Sequence, residues 1–197
     1  MSESVDEIRD KMRRRFVTVA LDPHAPQRHP TGPGSAKRLG YDPAEIDALP
    51  ASVTESFAGV GNPLALGGLR PGEAVLDLGC GAGLDSVLAA RRVGPAGRVV
   101  GVDATAEMVA KARAGAAAAG VANAEFHHGD ADRLPVADES ADVVISNGVF
   151  NLCLDKPKVL DEVYRALKPG GRLQMADILL GDDVPECEVE RKGAWSD

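Results

Sequence analysis

The run VLDLGCGAGLD, Val75 to Asp85, sets an apolar segment directly against glycines at positions 79, 81 and 83. Glycine is the residue a chain uses where its backbone must turn into left-handed conformations or approach another group closely. A strand that runs through such a loop into a helix leaves the first helical N–H groups pointing outward, where they suit an anionic or strongly polar ligand. Asp103 closes a second apolar run, GRVVGVD, 20 residues beyond Gly83. A carboxylate so placed accepts hydrogen bonds from both hydroxyls of a ribose. Gly79, Gly81, Gly83 and Asp103 together predict a nucleotide-like ligand. The plainer reading is a glycine-rich turn and an aspartate that caps a helix.

The glycine spacing discriminates among nucleotides. A dinucleotide loop reads G-x-G-x-x-G, and its third glycine would fall at position 84, which is leucine in the observed G-C-G-A-G-L. A pyrophosphate takes the helix N-terminus to itself. The amino-acid end of S-adenosylmethionine instead needs backbone carbonyls and a carboxylate, here Asp77, for its ammonium group, with N–H groups for its own carboxylate. The tighter spacing suits the second ligand. A nicotinamide-dependent oxidoreductase stays open as an alternative, sharing Asp103 but wanting a glycine at 84.

Other reactive residues offer less. Cys80, Cys153 and Cys187 are too few and too scattered for a disulfide framework or a zinc cluster, so reduced thiols and no metal are expected. His127 and His128 are consecutive on a strand pattern and therefore point to opposite faces, one packed and one solvated. His24 and His29 fall in an N-terminal loop that is a candidate cover for the site.

These residues need a scaffold, and the pattern after Pro71 supplies one. EAVLDLG, GRVVGVD, AEFHHGD, ADVVISN and GRLQMADILL read as strands. LDSVLAARRV, TAEMVAKARAGAAAAG and DKPKVLDEVYRALKPG read as helices, the last carrying Val159, Leu160, Val163 and Leu167 on one face. Strands alternating with helices mean an α/β, doubly wound, mainly parallel sheet with right-handed crossovers, whose ligands bind where the strand order reverses. Before residue 70 the signals are a short helical pattern (Val5, Ile8, Met12), an irregular stretch LDPHAPQRHPTGPGSAKRLG, a helix start at Asp42-Pro43 with Glu45, and another start at Asn62-Pro63. The expected organisation is an N-terminal helical and loop extension over residues 1–70, acting as a lid or substrate segment, and a ligand-binding domain over residues 71–197.

Bulk properties fit one core. The chain has 197 residues, 44% hydrophobic and 26% charged, with a formal net charge of −8 and no long acidic run. That charge argues against a nucleic-acid footprint. The segment MSESVDEIRDKMRRR is charged where a signal peptide needs an apolar stretch, and no run approaches membrane-spanning length. A cytoplasmic protein acting on a small molecule, without nucleic acid or membrane as partner, is expected.

VLDLGCGAGLD, VVGVDATAEMVAKA, HGDADRLPVADESADVVISN and RALKPGGRL, in that order and spacing over residues 71–180, resemble the successive motifs of class I S-adenosylmethionine-dependent methyltransferases. The resemblance implies a Rossmann-like fold with S-adenosylmethionine as cofactor. Its methionine part would be held by the glycine loop with Asp77, its ribose by Asp103 and Ala104, and its adenine by Asp130 and Ala131. Asn147 would lie beside the transferable methyl. A sulfonium methyl is already activated, so such a protein mainly aligns acceptor, carbon and sulfur and excludes water. No catalytic residue is strictly required; Asn147 and Asn151 are the candidates if the acceptor needs a base.

LGYDPAEIDALP, GNPLAL, GLDSVLAA, ISNGVFNL and DILL narrow the resemblance to the arsenite methyltransferase group and its uncharacterised relatives. That group binds trivalent arsenic through thiolates, as a soft centre requires. This chain departs from it at Val60 and Gly148, where the group has cysteines, and ends near Trp195, a few residues before the position of the third. Arsenite methylation and a non-catalytic cofactor-binding module therefore both remain as alternatives. Methyltransferases of this kind finish with two more strands, one antiparallel, whereas the 17 residues GDDVPECEVERKGAWSD show no alternation. The last strands are expected to be missing, which leaves the fifth strand as a sheet edge prone to self-association.

Overall fold

In a computed structural model of the chain, which describes residues 4–26 and 29–179, the five strand-patterned runs form one parallel sheet. The strands are β1 (Ala74–Leu78), β2 (Arg98–Asp103), β3 (Ala124–His128), β4 (Ala141–Asn147) and β5 (Leu167–Ala176), in the order β3-β2-β1-β4-β5. The chain builds outward from β1 through β2 to β3, then returns to the other side of β1. The order thus reverses between β1 and β4, and a crevice opens there at the carboxyl ends of the strands. Every residue of β1 is buried, as expected of a strand covered on both faces.

Alternation along β1 sends Val75 and Leu76 into different cores. On one face Val75 packs with Leu84, Val87 and Leu88 of α5 (Leu84–Val93) and with α6 (Ala106–Ala118); on the other, Leu76 and Leu78 meet Val159 and Val163 of α7 (Lys156–Ala166).

The N-terminal extension contributes α1 (Val5–Leu21), α2 (Pro33–Arg38), α3 (Pro43–Asp47) and α4 (Ala51–Thr54). Its residues Tyr41, Ile46, Val53, Phe57 and Leu64 are buried in the same cluster as β1 and α5, so extension and sheet share a hydrophobic core. Two starts lie where their signals place them: Asp42 accepts from Ala44 N at 2.8 Å with Pro43 in the first turn, and Asn62 accepts from Leu64 N at 3.1 Å. A helix also forms inside the stretch that reads as irregular. Gly32, at φ +81°, turns the chain so that Pro33 occupies the first turn of α2, and Lys37 and Arg38 lie in its last.

β5 departs from a simple strand. Leu167 pairs with Ala141, but pairing resumes only at Arg172 opposite Val143. The four residues between, Lys168 to Gly171, loop out because Pro169 has no N–H to give and Gly170 takes φ +79°. The extension covers one face of β5: Gln174, buried, donates Nε2 to the carbonyls of Pro63 at 2.9 Å and Gly67 at 3.1 Å. Among the described residues no strand pairs with the outer edge of β5, and Met175, Ile178 and Leu179 are exposed near its end. The strand stops at Ala176, short of the DILL segment that the pattern includes. Cys187, Trp195 and the segment expected to lack strands lie outside the described residues.

Candidate active site

Gly79, Gly81 and Gly83 all adopt left-handed backbone conformations, with φ of +70°, +51° and +88°. A Cβ on Gly79 would overlap a methyl of Val149, and one on Gly83 would crowd Ala112 at 3.1 Å, whereas Gly81 faces open space. Carbonyl Val102 accepts from both Gly79 N at 2.8 Å and Cys80 N at 3.0 Å, which pins the loop to the end of β2. Asp103 completes the tie. Its Oδ2 accepts from Gly81 N at 2.9 Å and its Oδ1 from Thr105 N at 2.8 Å.

The loop, the ends of β1, β2 and β4, and α1 above them enclose a cavity of about 220 Å³. α1 contributes Arg9, Met12, Arg13 and Phe16 to its wall. The C-terminal end of α1 is anchored: Ser56 Oγ donates to Val19 O at 2.8 Å, and Lys111 Nζ donates to Ala20 O at 3.1 Å while pairing with Glu55 at 2.7 Å. Further toward its N-terminal end, the half-exposed pairs Arg13–Asp130 (3.3 Å) and Arg9–Asp132 (3.1 Å) tie it to the loop after β3.

Gly79, Gly81, Asp103, Ala104, Asp130, Ala131 and Asn147 line this one cavity. Two residues expected with them do not. Gly83 closes the turn behind the loop as the N-cap of α5, and the carboxylate of Asp77 accepts from Ser86 Oγ at 2.5 Å, off the cavity wall. Asn151 is also off the wall; its Oδ1 is buried without a partner, and its N–H donates to Asp177 Oδ1 at 3.2 Å. His24, His29, His127 and His128 do not line the cavity; His128 Nε2 lies 3.0 Å from Ala104 O. Cys80 and Cys153 do, but as inert thiols: burial pushes Cys80 well up and Cys153 up to about 11.

Asn147 is the best-connected side chain of the site. Its Oδ1 accepts from Val60 N at 2.8 Å and Gly61 N at 3.1 Å. The two hydrogens of its Nδ2 are shared among three acceptors, Gly61 O at 2.9 Å, Tyr41 Oη at 3.1 Å and Asp85 Oδ2 at 3.1 Å. Tyr41 in turn donates to Asp85 Oδ1 at 2.5 Å. Asp85, on the cavity wall, and Tyr41 behind it are site residues that motif reading misses. An acidic residue in the first turn of a helix ordinarily signifies only dipole compensation. Asp177 is another: its carboxylate accepts from the N–H groups of Val149, Phe150 and Asn151 at 2.7–3.2 Å and fixes the turn after β4.

Three carboxylates, two buried and Asp103 half-buried, dominate the electrostatics. Burial raises Asp77 well above the ordinary range, with the Asp85 charge adding to it; burial raises Asp85 against the pull of Tyr41 and Asn147; burial raises Asp103 against the N–H groups of Thr105 and Gly81.

The profile of a methyltransferase-domain family matches residues 69–194. The chain belongs to that family. Its sheet is that of the class I S-adenosylmethionine-dependent methyltransferases, and the oxidoreductase alternative falls. The chain is 47% identical over 156 residues to an arsenite methyltransferase of Halobacterium salinarum, a match covering 79% of this chain and 40% of that protein. It resembles the crystal structure of an arsenic(III) S-adenosylmethionine methyltransferase from Chlamydomonas reinhardtii with a TM-score of 0.62 at 34% identity, over 83% of this chain and 54% of that one. A S-adenosylmethionine-dependent methyltransferase from Aquifex aeolicus matches with a TM-score of 0.57 at 26% identity, over 83% of this chain and 89% of that one. The methyltransferase chain thus spans about half or less of the length of its arsenite-methylating relatives. No described helix is long and apolar enough to cross a membrane.

The carboxylates make the stability of this chain depend on pH in two opposite senses. Asp77, Asp85 and Asp103 have raised values, so the folded chain takes up protons before the unfolded chain does, and stability grows as pH falls from neutrality. Glu73 beside Arg172, Asp142 beside Lys168 and Glu162 beside Arg165 have lowered values; their contribution is present above the unfolded value and lost as pH falls through the folded one. The urea midpoint is expected to rise between pH of about 7 and about 5 and to fall below about 4. A midpoint that stays flat or declines from neutrality to pH of about 5 would show that the three carboxylates are not protonated on folding.

Proposed function

We propose that this chain binds S-adenosylmethionine in the cavity and transfers its methyl group to a small-molecule acceptor. One observation carries the proposal: a single cavity joins Asp103 at the end of β2 to Asn147 at the end of β4 beneath the glycine loop. The residues fit the cofactor. The carboxylate of Asp103 accepts from two backbone N–H groups and interacts with the Thr105 hydroxyl, which leaves acceptor capacity for a ribose hydroxyl. Open space beside Gly81 admits a ligand against the backbone. When bound, the cofactor supplies a methyl group already activated on sulfonium. The chain's part is to orient and to exclude water: Met12 and Phe16 of α1 close the cavity above, and Val149, set by Asp177, shapes the end near Asn147.

The same geometry argues against Asn147 as a base. Its oxygen accepts two N–H groups and its amide nitrogen serves three acceptors, so it holds the extension against the site and has no role left in proton transfer. Asn151 lies off the cavity wall. The acceptor best suited to such a site is one that needs no deprotonation at these amides.

Arsenite is not that acceptor on this reading, although it gives the similar proteins their names. The positions where the resembled group carries cysteines are in contact, since a Cβ at Gly148 would lie 3.2 Å from Val60 Cγ1. Here they offer a methyl group and no side chain. The thiol of Cys153 donates to Val149 O at 3.3 Å, and Cys80 is buried under the loop. Soft trivalent arsenic gains little from that lining.

Among the described residues no strand pairs with the outer edge of β5, and Met175 and Ile178 are exposed there, which supports self-association along that edge as part of this reading.

Isothermal titration is expected to show S-adenosylmethionine binding that weakens by about 1.5–3 kcal/mol in Asp103→Ala, the loss of one charged hydrogen-bonding site. Equal affinity in the variant would remove the ribose assignment, and no binding by the parent would remove the proposal. Arsenite, offered with the cofactor, is expected to give no methylated product and to bind no more weakly to Cys153→Ser than to the parent. Tight binding lost in that variant would reverse the assignment. In sedimentation velocity the chain is expected to form dimers that Met175→Lys shifts toward monomer; a monomer at all concentrations would exclude the β5 contact.

A further inference from the structure

We propose that the carboxylate of Asp85 receives the ammonium group of the cofactor's amino-acid arm, with Tyr41 as the residue that aims it; this rests on the S-adenosylmethionine binding proposed above. Asp85 begins the first turn of α5 immediately beyond the glycine loop, is only 7% exposed, and lies on the cavity wall. Its Oδ1 accepts from Tyr41 Oη at 2.5 Å and its Oδ2 from Asn147 Nδ2 at 3.1 Å. Both donors are neutral, and each carboxylate oxygen keeps a lone pair. Arg92, on the same helix, acts on Asp85 through space and directs its guanidinium to Leu64 O at 3.2 Å and Glu45 at 3.1 Å. A carboxylate held in a dry wall by neutral donors gains most from a cationic ligand group.

Direction along the cavity selects which group that is. β1 and its loop stand between β2, which ends in Asp103, and β4, which ends in Asn147. A ligand with its ribose at Asp103 that extends across the loop therefore brings its other end to Asn147, one hydrogen bond from Asp85. Asp77 is the alternative from the sequence, but its carboxylate is committed to Ser86 Oγ at 2.5 Å off the wall. Tyr41 comes from the extension and Asn147 from the sheet, and together they hold both Asp85 oxygens before any ligand arrives. Such preorganisation lowers the cost of binding.

The test is titration calorimetry with S-adenosylmethionine, S-adenosylhomocysteine, decarboxylated S-adenosylhomocysteine, which keeps the ammonium, and 5′-methylthioadenosine, which has neither ammonium nor carboxylate. Asp85→Asn is expected to weaken the three ammonium-bearing ligands by about tenfold or more and to leave methylthioadenosine within about twofold. Asp77→Asn is expected to leave the ratio between the ligands unchanged. If Asp85→Asn does not fold, Tyr41→Phe carries the same comparison, with a loss of about threefold expected for the ammonium-bearing ligands alone. An equal loss for all four ligands would make Asp85 structural, and a loss confined to S-adenosylmethionine would place it at the sulfonium. A ratio that responds to Asp77→Asn instead, or to neither Asp85→Asn nor Tyr41→Phe, would equally overturn the assignment. A parent protein that binds methylthioadenosine as tightly as S-adenosylhomocysteine overturns it while leaving the cofactor reading intact; one that binds none of the four removes that reading itself.

Discussion

The amide of Asn147 is where three parts of the chain meet. It ends β4, takes the N–H groups of Val60 and Gly61 from the extension, and gives hydrogen bonds to Tyr41 and to Asp85 of α5. A half-buried amide with both ends occupied admits few substitutes: a carboxylate cannot donate, and an aliphatic side chain removes a partner from the Val60 and Gly61 N–H groups and from the buried Tyr41 and Asp85. Space is equally restricted, since a Cβ on Gly59 would run into the Asn147 side chain. The segment from Gly59 to Gly61 is therefore held against the sheet by hydrogen bonds and by the lack of a side chain at Gly59 and Gly61, and through it the extension closes one side of the cavity. The methyltransferase fold supplies the crevice; this junction turns the crevice into an enclosed site.

Charge placement follows from the same enclosure. Asp77 and Asp85 are buried and Asp103 is half-buried around one loop, an arrangement that desolvation and mutual repulsion both oppose. Each is compensated by neutral donors: a serine hydroxyl, a phenol with an amide, and two backbone N–H groups. Neutral donors satisfy geometry without cancelling charge. The carboxylates are thus held in place by hydrogen bonds and bias the site toward a cationic ligand, a combination that fits a sulfonium nucleoside better than a pyrophosphate.

What the sequence reveals is largely what is local in it. The glycine loop, its helix and the turn at Asp103 occupy a short continuous stretch, and their residue types each have one dominant physical explanation, so the parallel doubly wound sheet, the crevice at its strand ends and the place of Asp103 beside that crevice could be expected in advance. Asp77 shows the limit. It stands next to the loop in sequence, but alternation along β1 and the hydroxyl of Ser86 take its carboxylate away from the cavity. Asp85 lies in the same motif and is indistinguishable there from a helix-dipole residue; its role depends on Tyr41 and Asn147, which are 44 and 62 residues away. α2 was hidden for a different reason: six residues among prolines and glycines give no measurable period, and only the Gly32-Pro33 start identifies it afterwards.

Val60 and Gly148 show how such a site changes its chemistry without changing its fold. Their side-chain positions touch at the end of β4, beside Asn147, where a left-handed Gly148 at φ +71° leaves room for the valine methyls. Two thiols there would converge on a soft ion; a methyl-bearing side chain facing a bare backbone forms an apolar shelf instead. The hydrogen bonds that hold this shelf run through backbone N–H groups and the Asn147 amide, which are indifferent to the side chains at 60 and 148. On the proposed reading, acceptor choice is separable from cofactor geometry: the contacting positions 60 and 148 lie at the end of β4, apart from the glycine loop and Asp103. Likeness in fold and cofactor residues to arsenite-methylating proteins is accordingly compatible with a different acceptor at the shelf.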